Sequence, residues 1–220
     1  MLDAVCFDLD GTLFDDRQYV RGGLRHAARV LERETGIDCA DALRTAYFDR
    51  DIREATFDVV LAEYGLSRDR VPELVEAYHD NTAELTPYPG AESALSTLAG
   101  RYPLALITGG RNGREKLRRL SLADYFETVL VTSRLDCSKR DPDPFERALE
   151  TLGVAPDAAA YVGDRPELDF PQPNRLGMTT VRVETGRYAD ADATGTARPD
   201  GTVPTVADVP ERLSALETQK

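Results

Sequence analysis

The chain has 220 residues, enough for one α/β domain with a sizeable core plus a smaller insertion. It is 41% hydrophobic and 30% charged, and 27 Lys and Arg face 39 Asp and Glu, a net charge of −12. That balance makes it a poor candidate for non-specific nucleic-acid binding, and no apolar run nears the roughly 18 residues that a membrane helix needs.

Residues 2–7 form a short apolar run of the kind a buried parallel strand shows. The run leads straight from the first residues into the core, so no signal peptide is expected. It breaks into Asp8 and Asp10, one residue apart, and Gly11-Thr12 then predicts a turn. A helix follows over about 17–34, with Val20, Leu24, Ala27, Ala28 and Leu31 on one face, ended by Gly36. Further helices are expected over about 40–47 and 52–64. Ser67 caps a fourth, with Pro72 in its first turn and Leu74, Val75, Tyr78 and Leu85 as its apolar positions. No strand interrupts this stretch, and Thr86-Pro87-Tyr88-Pro89-Gly90 reads as a stiff linker.

Helix and strand alternate from there. Strands are expected at 103–107, 128–131, 158–162 and 179–183, and helices at 91–99, 113–120 and 142–152. A short broken helix spans about 168–176, a loop with room for an edge strand runs through 184–205, and a helix over 207–216 closes the chain. Such alternation predicts a doubly wound parallel sheet covered on both faces. The α/β core is then 1–15 plus 87–220, and an all-helical insert occupies 16–86. The insert's hinges flank the two carboxylates, as a mobile lid requires.

Three strand ends then meet at one edge of the sheet, where ligands bind in open α/β folds. The first carries Asp8 and Asp10, the second Thr108 with the amides of Gly109 and Gly110, the fourth Asp164 with Asp169 five residues on. Lys139 is expected to open the helix after the third strand. Paired acids repel unless a cation lies between them, and hard oxygens suit Mg2+. A carboxylate can attack phosphorus if its charge and the phosphate's are offset by the cation and an ammonium. A hydroxyl and free amides bind the remaining phosphate oxygens, and a second carboxyl protonates the leaving oxygen and then activates water. Asp8, Mg2+, Lys139, Thr108 and Asp10 supply those roles in turn.

Cys6, Cys39 and Cys137 are sparse and lack metal-ligand spacing, which points to a reduced, cytoplasmic setting. Cys6 reads as a small buried hydrophobe, and His26 and His79 as surface residues. The only lysines are Lys116, Lys139 and Lys220; every other basic side chain is Arg. An acidic, Lys-poor surface suits high salt, where the Debye length falls to about 3 Å at 1 M; a GC-rich genome is the plainer explanation. Arg17, Arg21, Arg50 and Arg53 read as a solvated helix face rather than as a grip on a substrate's second anionic group.

In its motifs the chain resembles the haloacid dehalogenase (HAD) superfamily of phosphohydrolases, in the group with a helical cap inserted after the first motif. Asp8-Leu9-Asp10-Gly11-Thr12 is similar to that family's first motif and Leu106-Ile107-Thr108-Gly109 to its second. Lys139-Arg140-Asp141-Pro142, with Phe145, is similar to its lysine motif, although Arg140 replaces the usual Pro and is expected to loosen the loop. Gly163-Asp164 with Asp169 is similar to the fourth, and Tyr88-Pro89-Gly90 to the return from the cap. The resemblance implies a Rossmann-like core with Asp8 as nucleophile and Asp10 as acid/base. It also implies Mg2+ held by Asp8, the Asp10 main-chain carbonyl and Asp164, and phosphate bound by Thr108, Gly109 and Lys139. Asp169 is left as a water-mediated ligand, a partner of Lys139 or a helix cap. Members that cleave carbon–halogen bonds typically carry Tyr at the second acid position, so Asp10 favours hydrolysis of a small soluble phosphate ester. A phosphotransferase or mutase on the same core, a dehalogenase and a non-catalytic phospho-ligand binder are the alternatives. Phe170-Pro171-Gln172-Pro173-Asn174 departs from the usual unbroken helix and resembles one cytosolic subgroup. Nothing in the sequence sets an oligomeric state.

Overall fold

The structure is a computed structural model and describes residues 1–218. Its chain forms two compact units, one of Met1–Asp16 with the chain from Leu85 on, the other of Arg17–Glu84.

Strand β1 (Ala4–Phe7) is buried at every position, which is why it shows no polar alternation. The helical unit follows, with α1 (Arg17–Thr35), α2 (Ala40–Phe48), α3 (Thr56–Glu63) and α4 (Val71–His79). The α1 stripe Val20, Leu24, Ala27, Ala28 and Leu31 packs on Leu43, Ala46, Val60, Leu61, Leu74 and Ala77 to make that unit's own core. Gly23 in α1 lets the Tyr78 ring approach; a Cβ there would collide with it. The expected fourth helix does not reach Leu85. It stops at His79, and the Asn81 side-chain amide donates to the Tyr78 carbonyl at 2.8 Å, satisfying one of the free carbonyls at the helix end. His26 and His79 are half-buried rather than surface residues, and the Tyr19 hydroxyl lies 3.3 Å from His79 Nδ1.

The α/β unit resumes with α5 (Ala91–Ala99), β2 (Leu104–Thr108), α6 (Gly113–Arg119), β3 (Thr128–Val131) and α7 (Asp143–Leu152). It ends with β4 (Ala159–Gly163), α8 (Pro166–Asp169), α9 (Pro171–Leu176), β5 (Thr179–Val183), β6 (Gly201–Val203) and α10 (Val209–Glu217). The broken helix is two short helices. Pro166 and Pro171 each fall at a helix start, where no intrahelical N–H is lost. Lys139 does not open α7; it lies in a turn four residues earlier, because α7 starts only at Asp143.

All strand pairs are parallel, in the order β3-β2-β1-β4-β5-β6. The chain fills one side of β1 with β2 and β3, then crosses to the other with β4. The crevice of such a sheet opens beyond the carboxyl ends of the strands where the order reverses, here β1 and β4. One face of the sheet packs Cys6, Ile107 and Tyr161 against Phe145, Leu149 and Met178. Burial pushes the Cys6 thiol up to about 12, so it behaves as a hydrophobe. The ends of the unit's gap are joined to each other: Phe14 bridges Pro87, and the Tyr88 amide donates to the Leu13 carbonyl at 2.8 Å.

Candidate active site

The Asp8 amide still donates to the Val162 carbonyl of β4, at 2.8 Å, so the first carboxylate is delivered by sheet pairing itself. Beyond it the backbone turns sharply at Gly11, whose φ of 90° an L side chain rarely adopts. A Cβ at Gly11 would also overlap the Asp164 carboxylate, so glycine lets the end of β4 come up to the turn. The Thr12 hydroxyl sits 3.4 Å from both Asp8 Oδ2 and Asp164 Oδ1, tying the two strand ends together.

Lys139 enters from the turn before α7. The Ser138 amide and hydroxyl both donate to Asp141 Oδ2, at 2.9 and 3.1 Å, and the Gln172 side chain donates to the Arg140 carbonyl. The turn expected to be loosened by Arg140 is thus tied at both ends. The Lys139 side chain is 3% exposed and its ammonium donates to Asp8 Oδ1 and, at 2.8 Å, to Asp169 Oδ1. Asp169 also accepts from the Tyr161 hydroxyl at 3.0 Å and from the Arg165 amide at 2.9 Å. Three donors occupy it, which favours a role in aiming Lys139.

Carboxylate oxygens of Asp8, Asp164 and Asp169 lie within 4.8 Å of one another, all buried. Burial pushes Asp8 up to about 7; Lys139 opposes the rise, and Asp169 and Asp10 add to it. Asp164 is pushed up to about 9 by burial, then by Asp169 and Asp8. Burial works against the Lys139 ammonium, but Asp169 and Asp8 outweigh it and hold its affinity for the proton above the ordinary lysine range. A single ammonium among three buried acids leaves negative charge uncompensated. Hard oxygens in excess of charge fit a divalent cation such as Mg2+.

Asp10 is placed apart from this cluster. Its Oδ1 accepts from the Lys116 ammonium at 2.6 Å, and its Oδ2 lies 3.4 Å from the Thr108 hydroxyl. The Gly110 amide donates to that hydroxyl at 3.3 Å, which orients the turn after β2. Lys116, on α6, is absent from the sequence-based set. The readable signal was composition: in a chain that uses Arg almost everywhere, both lysines among the described residues end on acids of this site. Asp8, Asp10, Thr108, Lys139, Asp164 and Arg165 line one cavity of about 200 Å³, with Gly109 and Asp169 also at its wall.

A family model described as haloacid dehalogenase-like hydrolase matches residues 2–175. A glyceraldehyde 3-phosphate phosphatase from Methanopyrus kandleri is 33% identical over 210 residues, covering 87% of this chain and 88% of that protein. A phosphoserine phosphatase from Thermus thermophilus is 38% identical over 145 residues, covering 64% of this chain and 58% of that protein. Among solved structures, a 2-haloacid dehalogenase from Pseudomonas syringae pv. Tomato superposes with a TM-score of 0.71 at 28% identity, covering 98% of this chain and 100% of that one.

Proposed function

The chain belongs to the haloacid dehalogenase-like hydrolases and is a phosphatase of that superfamily; we propose that it hydrolyses a small phosphate monoester through an aspartyl-phosphate on Asp8. The observation that carries this reading is the buried Lys139 ammonium donating to Asp8 at the mouth of the sheet, with Thr108 and Asp10 on the same cavity.

In the first half-reaction an Asp8 oxygen forms a bond to phosphorus as the ester P–O bond breaks. Asp10 gives its proton to the departing alkoxide. In the second, Asp10 takes a proton from water, the water oxygen bonds to phosphorus, and the Asp8–phosphorus bond breaks to release phosphate. Lys139 offsets the charge of Asp8 and of the incoming phosphate. The Thr108 hydroxyl and the Gly109 amide bind phosphoryl oxygens, with the Gly110 amide holding the Thr108 hydroxyl in place. Asp169 aims Lys139 through the contacts described, and burial with the nearby Asp169 and Asp8 keeps the Tyr161 phenol protonated and therefore a donor to it. Asp8, Asp164 and the main-chain carbonyl of Asp10 would hold Mg2+. The bound ion would balance the crowded acids and polarise the phosphoryl group.

One structural relative is a dehalogenase. A halide leaves as a stable anion and needs no proton, whereas an alkoxide does, so a carboxyl at Asp10 suits the phosphate ester. Three free cysteines, two of them buried, fit a reducing cytoplasmic setting.

The test is turnover of p-nitrophenyl phosphate, with phosphate released when no acceptor is supplied. EDTA should abolish it and Mg2+ restore it. Radiolabelled phosphate should be trapped on the wild-type protein by acid quench and not on Asp8→Asn. Turnover that persists in Asp8→Asn would remove the proposal, and product formed only with an added alcohol or sugar would make the protein a phosphotransferase.

A further inference from the structure

Arg165 follows Asp164 directly and lines the same cavity as Asp8, Asp10 and Thr108. Its place is set by the backbone. It precedes Pro166, which confines it to extended geometry, and it has φ −102° and ψ 103°. Its amide is held by Asp169 Oδ2 at 2.9 Å. The guanidinium lies over the Tyr188 ring, 4.9 Å from the centroid. Beyond that stacking it takes part in no hydrogen bond or ion pair among the described residues.

Arg25, Arg29, Arg175 and Arg198 also lack such a partner among the described residues, but they are exposed, whereas Arg165 is half-buried in a cavity wall. Five acids line the same cavity, Asp8, Asp10, Asp16, Asp164 and Asp169, and none pairs with Arg165. Stacking uses the face of a guanidinium and leaves its in-plane N–H fork open. The platform is itself fixed. Arg182, buried on β5, donates to the carbonyls of Tyr188 and Ala189 at 2.6 and 3.1 Å, and the Thr185 hydroxyl donates to the Gly11 carbonyl at 2.7 Å. A rigid fork in the cavity wall that no protein carboxylate engages matches a planar carboxylate.

Building on the phosphatase reading, we propose that Arg165, flat on Tyr188, binds a carboxylate carried by the substrate. The preferred substrates are then small phosphorylated carboxylic acids rather than neutral phosphate esters. Arg165 lines the same cavity as Asp8 and Thr108, so a carboxylate a few bonds from the ester oxygen would reach it.

The test compares two esters that differ in one group, 3-phosphoglycerate and glyceraldehyde 3-phosphate, with p-nitrophenyl phosphate run alongside. The wild-type ratio of kcat/KM, acid over aldehyde, should be about tenfold or more, the size of a charge-assisted pair. Arg165→Met should bring that ratio close to one, with the loss in KM rather than kcat. Arg165→Lys, which keeps charge but not the fork, should recover part of it. Tyr188→Leu should lower the ratio without altering any charge. A wild-type ratio near one, or a ratio that survives Arg165→Met, overturns this inference and leaves the phosphatase reading standing. No turnover of any of the three esters overturns both.

Discussion

The site contains two acid–ammonium pairs, Lys139 with Asp8 and Lys116 with Asp10, and the fold treats them differently. Lys139 with Asp8 is sealed, at 3% and 7% side-chain exposure, and two more acids crowd it. Lys116 with Asp10 is more open, Asp10 being 25% exposed, and Asp16 lies close enough to feel both charges. A buried pair with excess acid cannot relax by hydration, so it calls for a further cation and holds its atoms in place. A partly exposed pair at the cavity edge keeps a carboxyl positioned while water and substrate still reach it. The difference suits the roles proposed above, covalent chemistry at the first and proton traffic at the second.

The comparison breaks most sharply at Asp8. Asp8→Asn keeps the shape and removes the attacking oxyanion, so turnover should fall about a thousandfold or more with little change in thermal unfolding. Near-normal turnover would mean that the sealed pair is structural. Lys139 comes next. Lys139→Met strands Asp8 and Asp169 without their ammonium, and breaking such a pair costs about 3 kcal/mol or more of stability. Lys139→Arg retains charge, but a planar fork does not fit a 3% exposed position between two carboxylates. It should fold and lose most activity; an unchanged rate would show that only net charge matters there.

Lys116→Met should act more weakly, about tenfold to a hundredfold on turnover, because Asp10 keeps its Thr108 contact and access to water. The loss should be larger for alkyl phosphates than for p-nitrophenyl phosphate in single-turnover phosphorylation, since a good leaving group needs no proton. Equal losses would separate Lys116 from proton transfer.

Much of this was legible in the chain and some was not, for physical reasons. Acids placed where apolar strands break into glycine mark the sheet edge, so Asp8, Asp10 and Asp164 could be read locally. The bounds of α5, β3 and β5 also follow from apolar patterning against Gly, Pro and polar stops. Lys116 could not be read that way. It sits in Gly-Arg-Glu-Lys-Leu-Arg-Arg, which looks like a charged helix face, and its partner is 106 residues away. Arg165 looks like a turn residue until the loop carrying Tyr188 is folded beneath it. The overlong fourth helix came from counting Leu85 as an apolar position, when Asn81 had already supplied a stop.

The pH dependence sharpens the contrast without mutation. Asp8 and Asp164, held at about 7 and about 9, bind protons more tightly folded than unfolded. Their contribution to stability is therefore full below the unfolded carboxylate value of about 3.9 and is lost as pH rises through 7 and 9. Lys139 stays protonated across that window and does not set the slope. Metal-free protein should thus unfold more easily at pH 9 than at pH 6. Saturating Mg2+ should flatten that slope, because it binds the deprotonated acids. Melting curves in EDTA and in Mg2+ that run parallel across this range would deny the sealed pair its missing cation.

Salt should have the smallest effect at the site and its main effect elsewhere. The Lys139 pair is shielded from solvent, and screening acts on charges exposed to it. The net charge of −12 is spread over a chain whose bases are nearly all Arg, and self-repulsion of that surface falls as KCl is added. If the composition is an adaptation to high salt, melting temperature should climb with KCl toward molar concentrations, while the ratio of wild-type to Lys139→Arg turnover stays fixed. Full stability at low ionic strength would reduce the shortage of lysine to a matter of codon use. The retention of Lys116 and Lys139 would then stand out more, since nothing but local chemistry would account for a compact ammonium at those two positions.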